Sequence, residues 1–507
     1  MVGVTEGLEP RVIWKHFETL ASIPRRSREE EGVLEYIKGF AEENGLKWRQ
    51  DEAGNICVRR EGSVKGAPTV VIQGHVDMVC EKEKDSSHDF SEDPIALKIE
   101  GDWLKARGTT LGADNGLGVA AALALLEMPE DADLPPLEGL FTVQEEIGLV
   151  GAKALDPSIV EGRILLNLDA EDWPNVYCGC AGGGISNIAL RCRRERVDLG
   201  EFRPAVLAVG GLVGGHSGAD IHKYHASAVK VAARVLSGLM EAGLCRLADV
   251  SAGDKQHNVI PRTSEARVYV RRSGDGQGDA AKEVLDRIAG ELKLEYGVLE
   301  KGMEVALSVA EDGAFGKGVA LTEEDGRKLV SVLNVLPHGP VKFSHSIPEL
   351  VETSNNIASV KCKAAEGAAA SDDAGDVEFV IMCSTRSSVN GAIEAVRGQF
   401  RSLAGLCGAT VTGNVPYPGW QPNLESPILK VTVDEVTKII GRKPEVTAIH
   451  AGLECGIIGE KLQGCDMVAF GPTILGAHTP EERVKISTVS PFWDLVQRVV
   501  EASSKQK

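Results

Sequence analysis

Two histidines and several acidic residues have the types and spacing of metal ligands. The first signal is His75 with Asp77, in VVIQGHVDMV, just after a run of apolar residues. In an extended segment, residues two apart point the same way, so Asp77 can contact His75. A metal-binding histidine commonly donates its other ring N–H to a carboxylate. Alone, the pair is more typical of a turn histidine beside a solvated aspartate.

Three more acidic residues stand at comparable places. Asp114, in LGADNG, begins an apolar helix, where it could cap the helix or bridge two metal ions. Glu145 and Glu146 directly follow an apolar strand. Adjacent buried carboxylates repel each other unless cations are present, although a solvated loop pair is the plain alternative. Since the two side chains diverge, one could bind metal while the other accepts a proton from a bound water.

Asp169 and His478 complete the set. Asp169 follows the apolar strand of RILLNLDAED, and His478 follows an apolar strand and a glycine-rich loop. Four apolar strands are therefore each followed by potential ligands at their carboxyl ends, the edge where open α/β sheets place their sites. Two histidines and three carboxylates suffice for two zinc ions that share one carboxylate.

Alternating strands and helices must position these residues. Continuous apolar strands separated by helices indicate an α/β fold with a mixed sheet flanked by helices. The predicted strands are Thr69–Ile72, Leu140–Val143, Ile164–Leu168 and Met467–Phe470, and the predicted helices are 29–44, Gly116–Leu126 and about Leu429–Ile440.

The middle of the chain repeats one order of elements. Each copy has a helix, an Asn–x–Ile segment, a strand that ends in arginine and a second helix; chance similarity of such units is the alternative. The copies are Ala226–Met240, HNVIP, Arg267–Arg272 and Ala280–Leu292, then Glu324–Leu336, SNNIASV, the strand ending at Arg386 and Gly391–Leu403. We predict a catalytic domain in two parts, 1–187 and 416–507, with an inserted α+β lid domain of two similar halves at 188–415. Ser273–Asp279 and Lys363–Asp376 are predicted to be exposed loops.

Composition narrows the class of protein. At 507 residues the chain exceeds what one core usually supports, and its net charge of −19 argues against nucleic acid or an acidic membrane surface as a partner. No run of eighteen apolar residues and no secretory signal are seen. Eleven cysteines without CxxC pairs indicate free thiols in a reducing, cytoplasmic compartment.

These motifs resemble those of a known enzyme family. GHVDMV, LGADNG, QEEIGLVGA, NLDAED and GAHTPEERV are similar to the zinc-site motifs of the co-catalytic metallopeptidases related to carboxypeptidase G, aminoacylase and carnosinase. VETSNN, YPGWQPN and IHAGLECG narrow the resemblance to the aminoacyl-histidine dipeptidase branch, also called cytosol non-specific dipeptidases. The resemblance spans about residues 10–500.

The resemblance implies a role for each site residue. His75, Asp114 and Asp169 would hold one Zn²⁺, and Asp114, Glu146 and His478 the other, with Co²⁺ or Mn²⁺ as substitutes. Asp77 would orient His75, and Glu145 would be the general base of dipeptide hydrolysis. In the lid, His216 would contact the scissile carbonyl oxygen, and Asn258 and Arg386 would hold the substrate carboxylate or carbonyl; Ala451–Gly452 would add backbone N–H groups.

Other readings of the same residues stay open. An N-acyl amino acid hydrolase or a carboxypeptidase could use the same two-zinc core, and a silent binding protein could keep the fold. The expected partners are small peptide substrates, and the protein could form a homodimer. If one lid half imitates the lid of a partner subunit, His216 and Arg386 can serve one site within one chain.

Overall fold

The computed structural model describes residues 3–129, 132–253, 256–272, 279–315, 318–365 and 375–504. The chain divides into two compact units. Unit 1 comprises Met1–Cys180 with Pro418–Lys507, and unit 2 comprises Ala181–Tyr417. The boundaries predicted from the sequence, at 187/188 and 415/416, lie near these divisions, and a lid role for the middle part stays a prediction. The predicted loops at Ser273–Asp279 and Lys363–Asp376 fall mostly outside the described residues.

Unit 1 combines strands and helices from both ends of the chain, numbered here along the whole chain. Its strands are β1 (Lys47–Gln50), β2 (Ile56–Arg60), β3 (Val70–His75), β4 (Leu97–Glu100), β5 (Trp103–Ala106), β6 (Leu137–Thr142), β7 (Ile164–Asn167), β8 (Val176–Cys180), β20 (Val446–Ile449), β21 (Asp466–Ala469), β22 (Ile474–Leu475) and β23 (Arg483–Lys485). Its α-helices are α1 (Arg11–Ala21), α2 (Glu31–Glu43), α3 (Ala113–Leu126), α4 (Val150–Ala154), α9 (Pro427–Ile440), α10 (Glu454–Lys461) and α11 (Ile486–Ser503).

The main sheet of unit 1 has the strand order β1-β2-β6-β3-β7-β21-β8-β20. Its central strands β6, β3, β7 and β21 run parallel to one another. Every residue of β3, β6 and β7 is buried, as expected for a sheet covered on both faces. Because parallel strands point the same way, their carboxyl ends form one edge of the sheet.

The four strands predicted from apolar runs are present, with ends that differ by up to three residues from the prediction. At β3 the apolar run stops at Ile72, but the ladder continues through Gln73 to His75. Backbone hydrogen bonds do not require apolar side chains, so hydrophobicity alone underestimates the strand. The small sheet β22-β23-β5-β4 was not predicted.

Helix α3 brings the candidate ligand Asp114 to the sheet. Almost all of its residues are buried, and they are mostly alanine, leucine and glycine. Small side chains allow the helix to lie close to the sheet, and a Cβ at Gly118 would lie 2.8 Å from the backbone oxygen of Leu168. The alanine-rich composition therefore brings the start of α3 near the carboxyl end of β7.

The described residues of unit 2 form a nine-stranded antiparallel sheet, a separate two-stranded sheet and four α-helices. Its strands are β9 (Gly182–Cys192), β10 (Arg194–Arg196), β11 (Phe202–Gly210), β12 (Cys245–Ala252), β13 (Ser264–Arg271), β14 (Glu304–Val309), β15 (Val319–Leu321), β16 (Gly339–Phe343), β17 (Val351–Ala364), β18 (Val377–Ser387) and β19 (Thr410–Gly413). Its α-helices are α5 (Ala228–Glu241), α6 (Ala280–Tyr296), α7 (Glu323–Val335) and α8 (Asn390–Cys407).

The sheet of unit 2 consists of two halves with the same arrangement. Its order is β14-β11-β13-β12-β17-β18-β9-β19, with β16 beside β17. The halves β14-β11-β13-β12 and β19-β9-β18-β17 meet where Ala252 of β12 pairs with Val360 of β17. In each half a helix precedes the two inner strands and a second helix precedes the edge strand. The first copy of the sequence pattern contains α5, β13 and α6, and the second contains α7, β18 and α8, whereas HNVIP lies between β12 and β13 and SNNIASV lies within β17. One hydrophobic core includes residues of both halves.

The sequence predicted free thiols and no membrane-spanning helix. All eleven cysteines are free, and seven of them are buried. A buried free cysteine packs as a small apolar residue. Within the described ranges, no helix combines the length and apolar character that crossing a membrane requires.

Candidate active site

The sheet edge at the carboxyl ends of the parallel strands collects the predicted site residues of unit 1. A ligand placed at this edge is held by short segments that leave rigid strands, which limits its motion. His75 ends β3, Glu145 and Glu146 follow β6, Asp169 follows β7, His478 lies between β22 and β23, and Asp114 lies in the first turn of α3.

Asp114 lies between the two histidines. Its Oδ1 is 3.0 Å from Nε2 of His75, and its Oδ2 is 3.0 Å from Nε2 of His478. Nε2 of His75 is also 3.3 Å from Oδ1 of Asp169. Nε2 of His478 is 3.1 Å from Oε2 of Glu146. The five side chains thus form two groups of three that share the carboxylate of Asp114.

The donor atoms of this cluster fit metal ions. One ligand atom from each of His75, Asp114 and Glu146 lies within 4.8 Å of the others. Oε1 of Glu146 is buried and has no hydrogen-bond partner among the described residues. Imidazole nitrogens and carboxylate oxygens are ordinary zinc ligands, and a buried carboxylate oxygen without a partner is costly unless a cation binds it.

Asp77 connects His75 to the two adjacent glutamates. Its Oδ1 is 3.4 Å from Nδ1 of His75, and its backbone oxygen is 3.1 Å from the same nitrogen. The carboxylate also accepts the backbone N–H groups of Glu145 (3.0 Å) and Glu146 (3.2 Å) and the hydroxyl of Ser27 (2.8 Å). Burial acts to raise the pKa of Asp77, but the hydrogen bond from His75 and these other donors hold that pKa below its ordinary value.

Crowded negative charge shifts the protonation of the cluster. Burial raises the pKa of Glu145 well above its ordinary value, and Asp169 and Glu146 raise it further. Burial likewise raises the pKa of Glu146, and it raises the pKa of Asp169 to about 7. Hydrogen bonds to Asp114 and Glu146 raise the pKa of His478 to about 11. A bound cation offsets such repulsion, so the electrostatics also favour metal binding.

A buried polar network behind the ligands was missed by the sequence analysis. Glu454, at the start of α10, accepts hydrogen bonds from Gln73 and from the hydroxyl of Thr142, both at 2.6 Å. The side-chain amide of Asn167 donates to Gln73 at 2.6 Å. These residues tie together the ends of β3, β6 and β7. The signal was a polar residue inside each apolar run, but single polar residues do not reveal their partners.

In unit 2, the segment of His216 pairs with the segment of Asn258. His216 forms a β-bridge with Val259, and the backbone N–H of Ser217 donates to the backbone oxygen of Asn258 at 2.7 Å. Nδ1 of His216 accepts the backbone N–H groups of Gly218 (3.2 Å) and of Ala219 (3.0 Å). The neutral ring therefore carries its proton on Nε2, which makes that nitrogen a hydrogen-bond donor.

Arg386 lies in the same region of unit 2. It is part of β18 and pairs with Ser354 of β17. In β17, the side chain of Asn356 donates to the backbone oxygens of His257 and Val259, which flank Asn258. Arg386 is only 6% exposed, and its Nε has no hydrogen-bond partner among the described residues. A buried guanidinium with an unused donor suits an anionic ligand. Gly452 belongs to unit 1, between β20 and α10.

Comparison with known sequences identifies the family of this chain. The sequence profile of peptidase family M20/M25/M40 matches residues 71–502. The chain is 37% identical over 496 residues to the cytosol non-specific dipeptidase of Escherichia coli, covering 97% of this chain and 98% of that protein.

Comparison with solved structures also finds peptidases. The aminoacylhistidine dipeptidase of Vibrio alginolyticus superposes with a TM-score of 0.87 at 35% identity, covering 98% of each chain. Aminopeptidase PepT of Bacillus cereus shares the fold, with a TM-score of 0.60 at 16% identity over 98% of this chain and 100% of that one. The predicted fold class and family resemblance are confirmed, and the chain belongs to the metal-dependent hydrolases of peptidase family M20/M25/M40.

Proposed function

We propose that this protein is a zinc-dependent dipeptidase. The observation that carries the proposal is the carboxylate of Asp114, which presents one oxygen to each of two histidines. The substrate class comes from the relatives: the E. coli protein is named a non-specific dipeptidase and the V. alginolyticus protein an aminoacylhistidine dipeptidase, and both match over nearly their whole length.

Two Zn²⁺ ions per chain would be held by the two groups of ligands. His75 and Asp169 would bind one ion, Glu146 and His478 the other, and Asp114 would bind both. Co²⁺ or Mn²⁺ could substitute, because the ligands are nitrogen and oxygen donors. Bound zinc supplies Lewis acidity and lowers the pKa of a water that it binds.

Glu145 is the proposed general base. Its neighbour Glu146 approaches His478, whereas no ligand contact involves the carboxyl group of Glu145 among the described residues. Its pKa is raised, which suits a group that must first accept a proton and then release it. Glu145 takes the proton of the attacking water and passes it to the leaving amine. Asp77 holds the backbone of Glu145 and orients His75, so it positions both the base and a ligand.

Four other residues are proposed to contact the peptide. Nε2–H of His216 would donate to the oxygen on which charge develops, and Gly452 would add a backbone N–H. Arg386 would pair with the free carboxylate of the dipeptide, with Asn258 donating beside it. A carboxylate requirement of this kind limits substrates to peptides whose C-terminus lies one residue after the scissile bond.

We also propose a cytoplasmic location, as the name of the E. coli relative states for that protein. The free, buried cysteines are compatible with a reducing compartment. The protein could form a homodimer, and small peptides are the proposed partners.

A substrate panel tests this function. The purified protein, with its metal content measured by mass spectrometry, is assayed on dipeptides, on the matching tripeptides and on N-acetyl amino acids. We expect about two zinc ions per chain, hydrolysis of dipeptides, and loss and recovery of activity on chelation and zinc addition. Faster hydrolysis of N-acetyl amino acids would indicate an acyl amino acid hydrolase, and faster release of C-terminal residues from longer peptides would indicate a carboxypeptidase.

A further inference from the structure

Glu482 is a buried carboxylate that binds the backbone at Asp114 and just before it. It is 2% exposed, and it lies four residues after His478. Its Oε2 accepts the backbone N–H groups of Leu111 (2.7 Å) and Gly112 (3.0 Å). Its Oε1 accepts those of Ala113 (2.8 Å) and Asp114 (3.3 Å). One side chain therefore holds four successive amides that lead into Asp114.

Arg25 donates to a backbone carbonyl of the same segment. This residue is also 2% exposed, and its Nη2 donates to the backbone oxygen of Gly112. Its Nη1 donates to the backbone oxygens of Val76 (3.0 Å) and Asp77 (3.2 Å). The guanidinium therefore connects the residues that follow His75 to the residues that precede Asp114.

Gly112 is the point where both charged groups meet the backbone. Its N–H binds Glu482 and its carbonyl binds Arg25. Its φ of +69° lies in the left-handed region that favours glycine. A Cβ at this position would lie 2.4 Å from Nη2 of Arg25. The segment is thus held from both sides without room for a side chain.

We propose that Arg25 and Glu482 are positioning residues that fix the carboxylate of Asp114 between the two histidines. The inference rests on the proposed two-metal function. It follows from the chain segments involved. Arg25 binds the segment after His75, Glu482 itself belongs to the segment after His478, and both bind the segment that leads into Asp114. The two buried charges are of opposite sign and share one backbone segment, which reduces the cost of burying either.

Substitution of Glu482 tests the proposal with zinc affinity as the readout. E482Q keeps the shape of the side chain but turns an NH₂ group toward two of the four amide donors. We expect folded E482Q, compared by circular dichroism, to bind zinc about 10- to 100-fold more weakly in chelator competition, the range for partners that orient ligands. E481Q, the same change one residue earlier at an exposed position, should bind zinc like the wild type. Wild-type zinc affinity in folded E482Q would overturn the proposal.

Further variants keep the test decisive. If E482Q does not fold, E482D replaces it, because a shorter carboxylate cannot reach both pairs of amides; unchanged zinc affinity in folded E482D counts against the proposal. R25K keeps the positive charge but replaces the forked guanidinium with a single ammonium group. R26K makes the same change at an exposed arginine and is the matched control. Because Arg25 and Glu482 act on one segment, the R25K/E482Q double variant should lose less affinity than the product of the single losses. Independent, multiplicative losses would contradict a shared role. Failure of the wild type to bind zinc or cleave dipeptides would instead reject the proposed function.

Discussion

At the scale of single residues, the adjacent acids Glu145 and Glu146 have different environments. Oε2 of Glu146 is 3.1 Å from Nε2 of His478, as expected for two ligands of one metal ion. The backbone N–H groups of both glutamates bind Asp77, which fixes the backbone of this pair. The sequence predicted that one acid binds metal and the other accepts a proton, but adjacency alone did not say which.

This difference gives a paired prediction for the two glutamates. E145Q should keep about two zinc ions per chain, because the side chain is proposed to bind no metal. Its kcat should fall by about 100- to 10,000-fold, since loss of a general base removes a contribution of that size. E146Q is the comparison, and it should lose zinc as well as activity. Metal analysis and steady-state kinetics measure both effects; near-normal turnover in E145Q would refute its role as the base.

Residues that act through the backbone were not predictable from the sequence. The candidate ligands were picked out because four of them follow apolar runs and Asp114 begins an apolar helix, patterns that the chain order displays. Arg25 and Glu482 bind main-chain carbonyl and N–H groups. Such groups occur all along the chain, so the sequence does not show which residues these two side chains contact. Glu482 was within a recognised motif, but its four hydrogen bonds depend on the course of residues 111–114 in space.

At the scale of elements, a partly buried histidine supports an irregular strand. The pairing of β17 with β18 shifts register between Ile357 and Ser359. The backbone N–H of Ile357 donates to Nδ1 of His338, just before β16, at 3.3 Å. Only a neutral ring can accept this hydrogen bond, since both nitrogens of an imidazolium are donors. His338 therefore satisfies an amide at an irregular point of the ladder between the strands.

The protonation of His338 should make unit 2 less stable in acid. Burial and the charge of Lys230 lower its pKa from 6.5 to about 4. Between these pH values the unfolded chain binds a proton that the folded chain does not, so stability falls as pH drops from 6.5 toward 4. The contribution lost is roughly 3 kcal/mol.

Unfolding of the H338N variant measures this contribution. The variant should be less stable than the wild type at pH 7, and the difference in urea midpoint should shrink as pH falls to 4.5. H345N is the matched control, because His345 is exposed. A wild-type pH dependence in H338N would show that the pKa of His338 is the same in the folded and the unfolded protein.

At the scale of the whole molecule, the chain order hides part of the repeat in unit 2. The second half of the sheet takes β9 as its counterpart of β11, although β9 precedes the entire first half. The sequence pattern predicted a helix, an arginine-ended strand and a second helix in each half, because those elements follow one another in the chain; the additional inner strands β12 and β17 were not predicted. The displaced first strand carries no such pattern, and pairing across the sheet was needed to assign it.

The two halves of unit 2 each supply one proposed substrate contact. His216 follows β11 of the first half, and Arg386 belongs to β18 of the second half. Within unit 2 the segment of Asn258, which pairs with the segment of His216, is bound by Asn356 of β17, and β17 pairs with β18, so one chain can present both residues to one site. Each chain should therefore be catalytically self-sufficient even if the protein forms dimers. Full activity per chain should persist on dilution to monomer.

Mixing inactive variants distinguishes a self-sufficient chain from a site shared between subunits. H216A and R386A should each lose most activity, because each removes a donor from the developing charge or from the substrate carboxylate. If a site took His216 from one subunit and Arg386 from another, co-refolded mixtures would contain some intact sites and regain activity, up to about a quarter of wild type for random pairing. We expect no recovery in such mixtures, with mixed dimers verified by native mass spectrometry on differently tagged chains. Recovery of activity in verified mixed dimers would show that the catalytic unit is the dimer.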